Sequence, residues 1–348
     1  MADTGNAAAS GEAGNAYFVL RDPGVGFGDH SDADELRHGA MNRQVADDAL
    51  TETQYFSFNV PDADIQAFCY LWMHPNLGSI TGGAAAWQGI KETALTAELF
   101  DIRAYMSERA IQNGIHSFTL DNGYGVEIIE PMRRMRVFYD DPARGNSFDV
   151  LFTALSAPAM LPTRKHFEQV MRTQGQITLR GVTHKVDGFG IRDRTWAELR
   201  SEAPMSLAPL DWMTGMFGDE IAFNCVAGDR PGDDVEWKGL FDMPERGIFT
   251  GGWLWRAGEF RRLKDATKIT RRDPRTLHPV RHELEMVVDD GTVLRMTGTI
   301  TASCTLSVWP NLVVPICLTR WDWDGRIGWG DTQENQWTDF VHGMFQRR

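Results

Sequence analysis

Residues 181–200, GVTHKVDGFGIRDRTWAELR, constrain the fold more than any other stretch of this chain. Two β-like runs flank an Asp187-Gly188 turn. Directly after it, Arg192-Asp193-Arg194-Thr195-Trp196 sets two cations, an anion and the largest aromatic in a row. Side chains on a strand alternate between faces, so Arg192, Arg194 and Trp196 share one face, with Asp193 and Thr195 on the other. Solvated strands have little use for Trp, and buried strands tolerate little charge. A strand carrying both lines a polar pocket floor or an interface, or else forms an Arg-Asp-Arg ion network that ties two sheets together.

The rest of the chain repeats the short β period. Residues 55–60, 67–73, 126–129, 135–139 and 148–154 read as strands, with breaks at Pro61-Asp62 and His74-Pro75-Asn76. Residues 95–110 fit a helical and a strand face equally, and 166–173 reads as a short helix or bridging segment. Further strands fall at 177–182, 185–196, 220–226, 236–241, 247–255 and 258–263. The clearest hairpin pairs Val280–Val288 with Thr292–Leu306 around Asp290-Gly291. Many short strands with little helix predict an all-β protein, and 348 residues are enough for two domains, with a boundary between 155 and 200. Residues 1–16, rich in Ala, Gly, Asn and Ser, predict a disordered tail, and 17–50 a segment that wraps a surface.

Eight of the twelve Trp lie between 212 and 329, which predicts large flat apolar surfaces in the second half. The net charge of −13 argues against a nucleic-acid backbone or anionic membrane as partner; the one basic run, Arg261 to Arg275, reads as a solvated loop or edge strand. The four Cys are scattered and form no Cys-x-x-Cys pair. His278 and His282 sit in a strand context with no third ligand, so no metal is expected. Gly24-Val25-Gly26-Phe27-Gly28 lacks the strand and helix of a phosphate loop, and there is no Gly-x-Ser-x-Gly elbow. The N-terminus has neither the basic nor the apolar region of a signal peptide, and no apolar run reaches transmembrane length, so a cytoplasmic location is expected. What remains is acid–base chemistry by carboxylates near Trp, with Asp193, Glu198, Asp211, Asp322, Asp331 and Glu334 as candidates.

Several segments together resemble the AttH-like, carotenoid 1,2-hydratase-like superfamily over roughly residues 55–335. They are Tyr55-Phe56-Ser57-Phe58, Trp72-x-His74-Pro75-Asn76, Gly175-x-Ile177-x-Leu179-x-Gly181, Gly188-x-Gly190-x-Arg192-Asp193-x-x-Trp196 and Asp324-Gly325-x-x-Gly328-x-Gly330. The resemblance implies two lipocalin-like barrels in tandem, here 17–175 and 176–348, the second Trp-rich and holding the ligand cavity. It also implies a hydrophobic, terpenoid- or polycycle-like ligand and no cofactor. Arg194 stands where the family string usually has His, and Ala197 where it has Gly. The strand Ile221–Val226 lacks the carboxylate of the carotenoid hydratases' Tyr-x-Asp, so that acid does not carry over. The resulting expectation is a hydratase, dehydratase or cyclase, with Asp193, Arg192 and Arg194 as catalytic residues and Trp196, Trp253, Trp255, Phe223, Asn224 and Trp323 around the substrate. The alternative is a carrier or sensor of an apolar small molecule. Self-association is compatible with the sequence.

Overall fold

The structure is a computed structural model. It describes residues 27–38, 49–199 (backbone alone at 197–199), 203, 206–232, 236–241 and 244–347. The tail expected at 1–16 and most of the wrapping segment at 17–50 lie outside the described residues.

Eleven strands build the first sheet: β1 (Leu50–Val60), β2 (Ile65–His74), β3 (Ser79–Gln88), β4 (Leu99–Ser107), β5 (Ser117–Thr119), β6 (Gly125–Glu130), β7 (Arg134–Asp141), β8 (Asn146–Ala154), β9 (Ala159–Met160), β10 (His166–Leu179) and β11 (Val182–Leu199). Their order is β4-β3-β2-β1-β11-β10-β8-β7-β6-β5, with β9 on β10. The sheet curls around Phe56, Phe58, Leu71, Tyr124, Val137 and Phe152. β1, β2 and β3 are buried along nearly their whole length on both faces. One face looks into the curl and the other packs on the second domain, which is why β2 reads as a near-continuous apolar run, while β1 also buries Thr51, Glu52, Thr53 and Gln54.

Three sequence expectations are corrected here. Residues 166–173 form the first half of β10, and Asp187-Gly188 lies inside a continuous β11. The hairpin turn is Arg180-Gly181, with φ of +50° and +83°. That is the doubly positive conformation a two-residue hairpin loop needs to match strand twist. Asp187 instead faces Gln174 across the ladder and is bound by Lys185 at 2.7 Å and by Arg172. Gly190 marks close approach of β11 to β1: a Cβ there would lie 2.1 Å from the Ser57 carbonyl oxygen. The division expected at 175/176 falls within β10. Both β10 and β11 belong to the first sheet, and the change of sheet comes between Leu199 and Leu210.

The second domain is a closed antiparallel barrel of β12 (Leu210–Met216), β13 (Ile221–Gly228), β14 (Phe249–Arg256), β15 (Glu259–Arg272), β16 (Pro279–Val288), β17 (Val293–Leu306), β18 (Leu312–Trp323) and β19 (Arg326–Trp337). The β16–β17 hairpin turns at 289–292, with Gly291 at φ +88°. Met213, Phe223, Leu254, Leu284, Met286, Met296 and Trp321 pack together inside the barrel. A buried ion cluster adjoins them: Lys268 binds Asp229 at 2.6 Å and also Asp211, and Arg272 binds Asp229 and Glu334, each at 2.7 Å.

Two short helices close the assembly. α1 (Asp32–Leu36) lies against β11, and α2 (Thr338–Gln346) packs Phe340 with Trp237, Leu277 and Ala208. A third core joins the domains. Tyr55, Phe68, Tyr70, Trp72, Val170 and Ile191 of the first meet Trp212, Val226, Trp253, Trp255, Ile316 and Leu318 of the second.

Candidate active site

The domain interface carries an unusual density of buried carboxylates. Cross-strand pairing sets Tyr55 of β1 beside Asp193 of β11, and Asp193 beside Glu168 of β10. Residues directly opposite on neighbouring strands point to the same face. This row therefore looks toward the second domain.

Glu168 is 1% exposed. Its Oε1 accepts from the Trp212 indole N–H at 2.5 Å and the Asn224 amide at 3.0 Å, and its Oε2 from the Trp253 indole N–H at 2.6 Å. All three donors come from the second domain. The reciprocal bond runs the other way: the Tyr55 hydroxyl donates to Asp331 Oδ2 of β19. Each domain thus offers a carboxylate to donors of its partner domain.

Asp331 is equally buried, and its Oδ1 has no hydrogen-bond partner among the described residues. Burial pushes its carboxyl up to about 7. Hydrogen bonds from Tyr55, Gln333 and Ser57 oppose the rise, and the negative charge of Asp193 adds to it. Tyr55 is held well above the usual phenol range, first by burial and then by Asp331, so it stays a donor. Asp331 is therefore an acid that still holds a proton near neutral pH, the condition for general-acid work at that pH.

The row is less closed at one side. Asp193 is half-buried, and the His166 side chain, on the same face of β10 as Glu168, is 21% exposed. His166 Nδ1 hydrogen-bonds Thr195 Oγ1 at 2.9 Å, and its Nε2 lies 3.7 Å from Glu168 Oε1. Half-buried Phe27, Leu155, Phe189, Leu207, Ile248 and Phe260 pack against the same interdomain core. Acid, acceptor and aromatic side chains all belong to the face where the two domains meet. Two surface grooves, of about 700 Å³ along β15–β17 and about 420 Å³ beside α2, do not include the carboxylate row among their lining residues.

The residues singled out from sequence divide sharply. Asp193, Asn224 and Trp253 come together at this site, and Trp255 lies in the same interdomain core. Arg192, Arg194 and Trp196 occupy the opposite face of β11. There Arg192 donates to Glu35 of α1 through its two terminal guanidinium nitrogens, at 2.8 and 2.6 Å, and through Nε to Gln169 at 2.9 Å. Arg194 donates to the carbonyls of Thr53, Glu35 and Arg37, and the Trp196 indole donates to the Arg37 carbonyl. The two arginines and Trp196 fasten α1 to the first sheet and do not surround Asp193. A single cavity shared by Trp196, Trp253 and Trp255 does not form, because Trp196 packs with Met132, Met160 and Phe167 on that far face. Phe223 lies inside the barrel, edge-on to Trp321 at 5.3 Å between centroids, and Trp323 packs on Phe217. Glu168 and Tyr55 were not singled out from sequence. The available signal was alternation in Phe167–Met171: once that run is read as a strand, Glu168 shares a face with Val170 and stands opposite Asp193.

No curated protein matches the chain. Among solved structures, kievitone hydratase from Nectria haematococca superposes with a TM-score of 0.51 at 12% identity, over 91% of this chain and 97% of that one. An AttH-like protein from Nitrosomonas europaea gives 0.54 at 14% identity, over 90% and 97%. At such identities the likeness is one of fold. It agrees with the tandem architecture expected from the AttH-like, carotenoid hydratase-like resemblance. A family model, Domain of unknown function (DUF7064), matches residues 31–339, from the start of α1 into α2 and across every strand described above, and the chain therefore belongs to that family.

Proposed function

We propose that the protein is a lyase or isomerase that adds water to, removes water from, or cyclises a hydrophobic small molecule held between its two domains. The observation that carries this reading is the pair of buried carboxylates from opposite domains. Asp331 holds a proton near neutral pH, and Glu168 is fixed as an acceptor by two indoles and an amide.

In the hydration direction, Asp331 gives its proton to one carbon of an alkene, and a cation develops on the other. Flanking aromatic rings such as Trp212 and Trp253 stabilise positive charge through their π faces. Water bonds to that carbon and passes a proton to Glu168. Dehydration is the reverse. Cyclisation replaces the water by a second double bond of the same molecule, and the proton lost on closing the ring goes to Glu168. Asp193 is assigned a positioning role, its charge favouring the protonated form of Asp331. Being a hydratase fold supports the reading without specifying the substrate.

The test begins with mass spectrometry of apolar compounds that co-purify with the full-length protein. Those compounds and their dehydrated or hydrated counterparts are then incubated with it in water enriched in heavy oxygen. Gain of one heavy oxygen by the parent protein, and loss of turnover by on the order of a hundredfold in Asp331→Asn and Glu168→Gln, is the expected outcome. Parent-like turnover in both folded variants overturns the assignment.

A further inference from the structure

We propose that His166 is the proton relay between solvent and Glu168; this rests on the acid–base reading above. The need follows from proton accounting. After one hydration, the proton of Asp331 resides on the product and a proton from water resides on Glu168. The next turnover requires Glu168 to lose a proton and Asp331 to regain one. Neither carboxylate can exchange with bulk water directly, since each is only 1% exposed.

The groups around Glu168 separate cleanly by what they can carry. The Trp212 and Trp253 indoles and the Asn224 amide donate hydrogen bonds but do not exchange protons with a carboxylic acid at working pH. His166 is the titratable base beside them. It stands two residues earlier on the same strand face, with Nε2 3.7 Å from Glu168 Oε1 and a side chain 21% exposed. Imidazole takes a proton on one ring nitrogen and releases one from the other, within the physiological range. The Thr195 hydroxyl holds the opposite nitrogen at 2.9 Å and sets the ring plane. Asp193, on β11 between Glu168 and Tyr55, is the charged group next along this row; Arg172 and Asp187 share the face further along the two strands and pair with each other. Asp193 is half-buried and its charge acts on Asp331, whose hydroxyl partner is Tyr55, so the two carboxylates have different neighbours able to move a proton. His166 acts through Glu168 and does not touch the reacting carbon.

The probe for the test is the proton itself. Full-length protein is jumped from about pH 8 to about pH 3.5, under the ordinary glutamate value of about 4.3, in imidazole-free buffer. The C=O band of newly protonated Glu168, identified by its loss in Glu168→Gln, is followed by time-resolved infrared. In His166→Gln, which keeps a hydrogen-bonding side chain opposite Thr195 but cannot titrate, uptake at Glu168 is expected to slow by about tenfold or more, to the same end state. The Asp331 band should keep its parent rate. In His166→Ala, added imidazole should restore the rate. Parent-like uptake in His166→Gln, slow uptake that imidazole does not restore, or a Glu168 that takes up no proton overturns the relay. Failure of the acid–base reading is a distinct result, seen when Asp331→Asn and Glu168→Gln both keep their turnover.

Discussion

Asp331 combines a cost to the fold with a use in chemistry. Its folded-state value of about 7 lies above the 3.8 of the free side chain. Below about pH 4 both folded and unfolded states hold the proton, and burial costs nothing in charge. As pH rises toward 7 the unfolded chain releases the proton and the folded one retains it, so stability falls across that window and is lowest above it. Asp331→Asn keeps an acceptor for Tyr55 and removes the charge. At about pH 8 it is expected to stabilise the protein by on the order of 2–4 kcal/mol, and at about pH 4 by almost nothing. Denaturant unfolding at the two pH values measures this; an equal effect at both would mean that Asp331 is already ionised in acid. Asp193→Asn should act in the opposite sense on the acid's proton. Without that neighbouring charge Asp331 releases its proton at lower pH, and the alkaline limb of the pH–rate profile moves toward acid. A profile that drops in height without moving would give Asp193 a role other than this electrostatic one.

β11 shows how much of such a site can be read from sequence. Alternation alone placed Asp193 and Thr195 on one face and Arg192, Arg194 and Trp196 on the other, and the structure keeps that division. What alternation does not carry is the partner of each face. Glu35 lies 157 residues from Arg192 in the chain, and the Trp212 and Trp253 that hold Glu168 are 44 and 85 residues away from it. Adjacency in sequence suggests that Asp193 belongs with Arg192 and Arg194, whereas adjacent residues on a strand point apart. Glu168 is hidden in a segment, 166–173, whose sequence reads as a short helix or bridge, and Asp331 is one of six acids near a Trp. The Arg192–Glu35 pair is fully buried, so its two single variants should behave unlike its double variant. Arg192→Met leaves Glu35 buried without its cation and is expected to cost roughly 3–5 kcal/mol, while Arg192→Met with Glu35→Leu recovers most of that. Turnover per folded molecule should be unchanged in the double variant. A folded double variant without activity would return Arg192 to the reaction.

At the scale of the whole molecule, the site exists only where two domains meet. Tyr55 of the first domain serves Asp331 of the second, and Trp212, Trp253 and Asn224 of the second serve Glu168 of the first. The exposed ion pair between Arg275 and Glu92 also spans the domains, but exposed pairs contribute little and are screened by salt. The interdomain core and its buried hydrogen bonds must therefore do the holding. Glu168→Ala removes the acceptor for three buried donors at once, each costing about 1–3 kcal/mol when left unpaired, less what entering water recovers. The expected result is looser docking rather than unfolding of either domain. Limited proteolysis should cut the variant faster between 199 and 210, where the chain passes from one sheet to the other, and the Trp emission should shift to the red as Trp212 and Trp253 meet water. Glu168→Gln, which keeps one carbonyl oxygen for an indole, should fall between parent and Glu168→Ala. Raising salt, which weakens only the outer ion pair, should leave the parent's cleavage rate nearly unchanged. If Glu168→Ala resists protease as the parent does while salt accelerates cutting, docking rests on the surface pair, and Glu168 is left with chemistry alone.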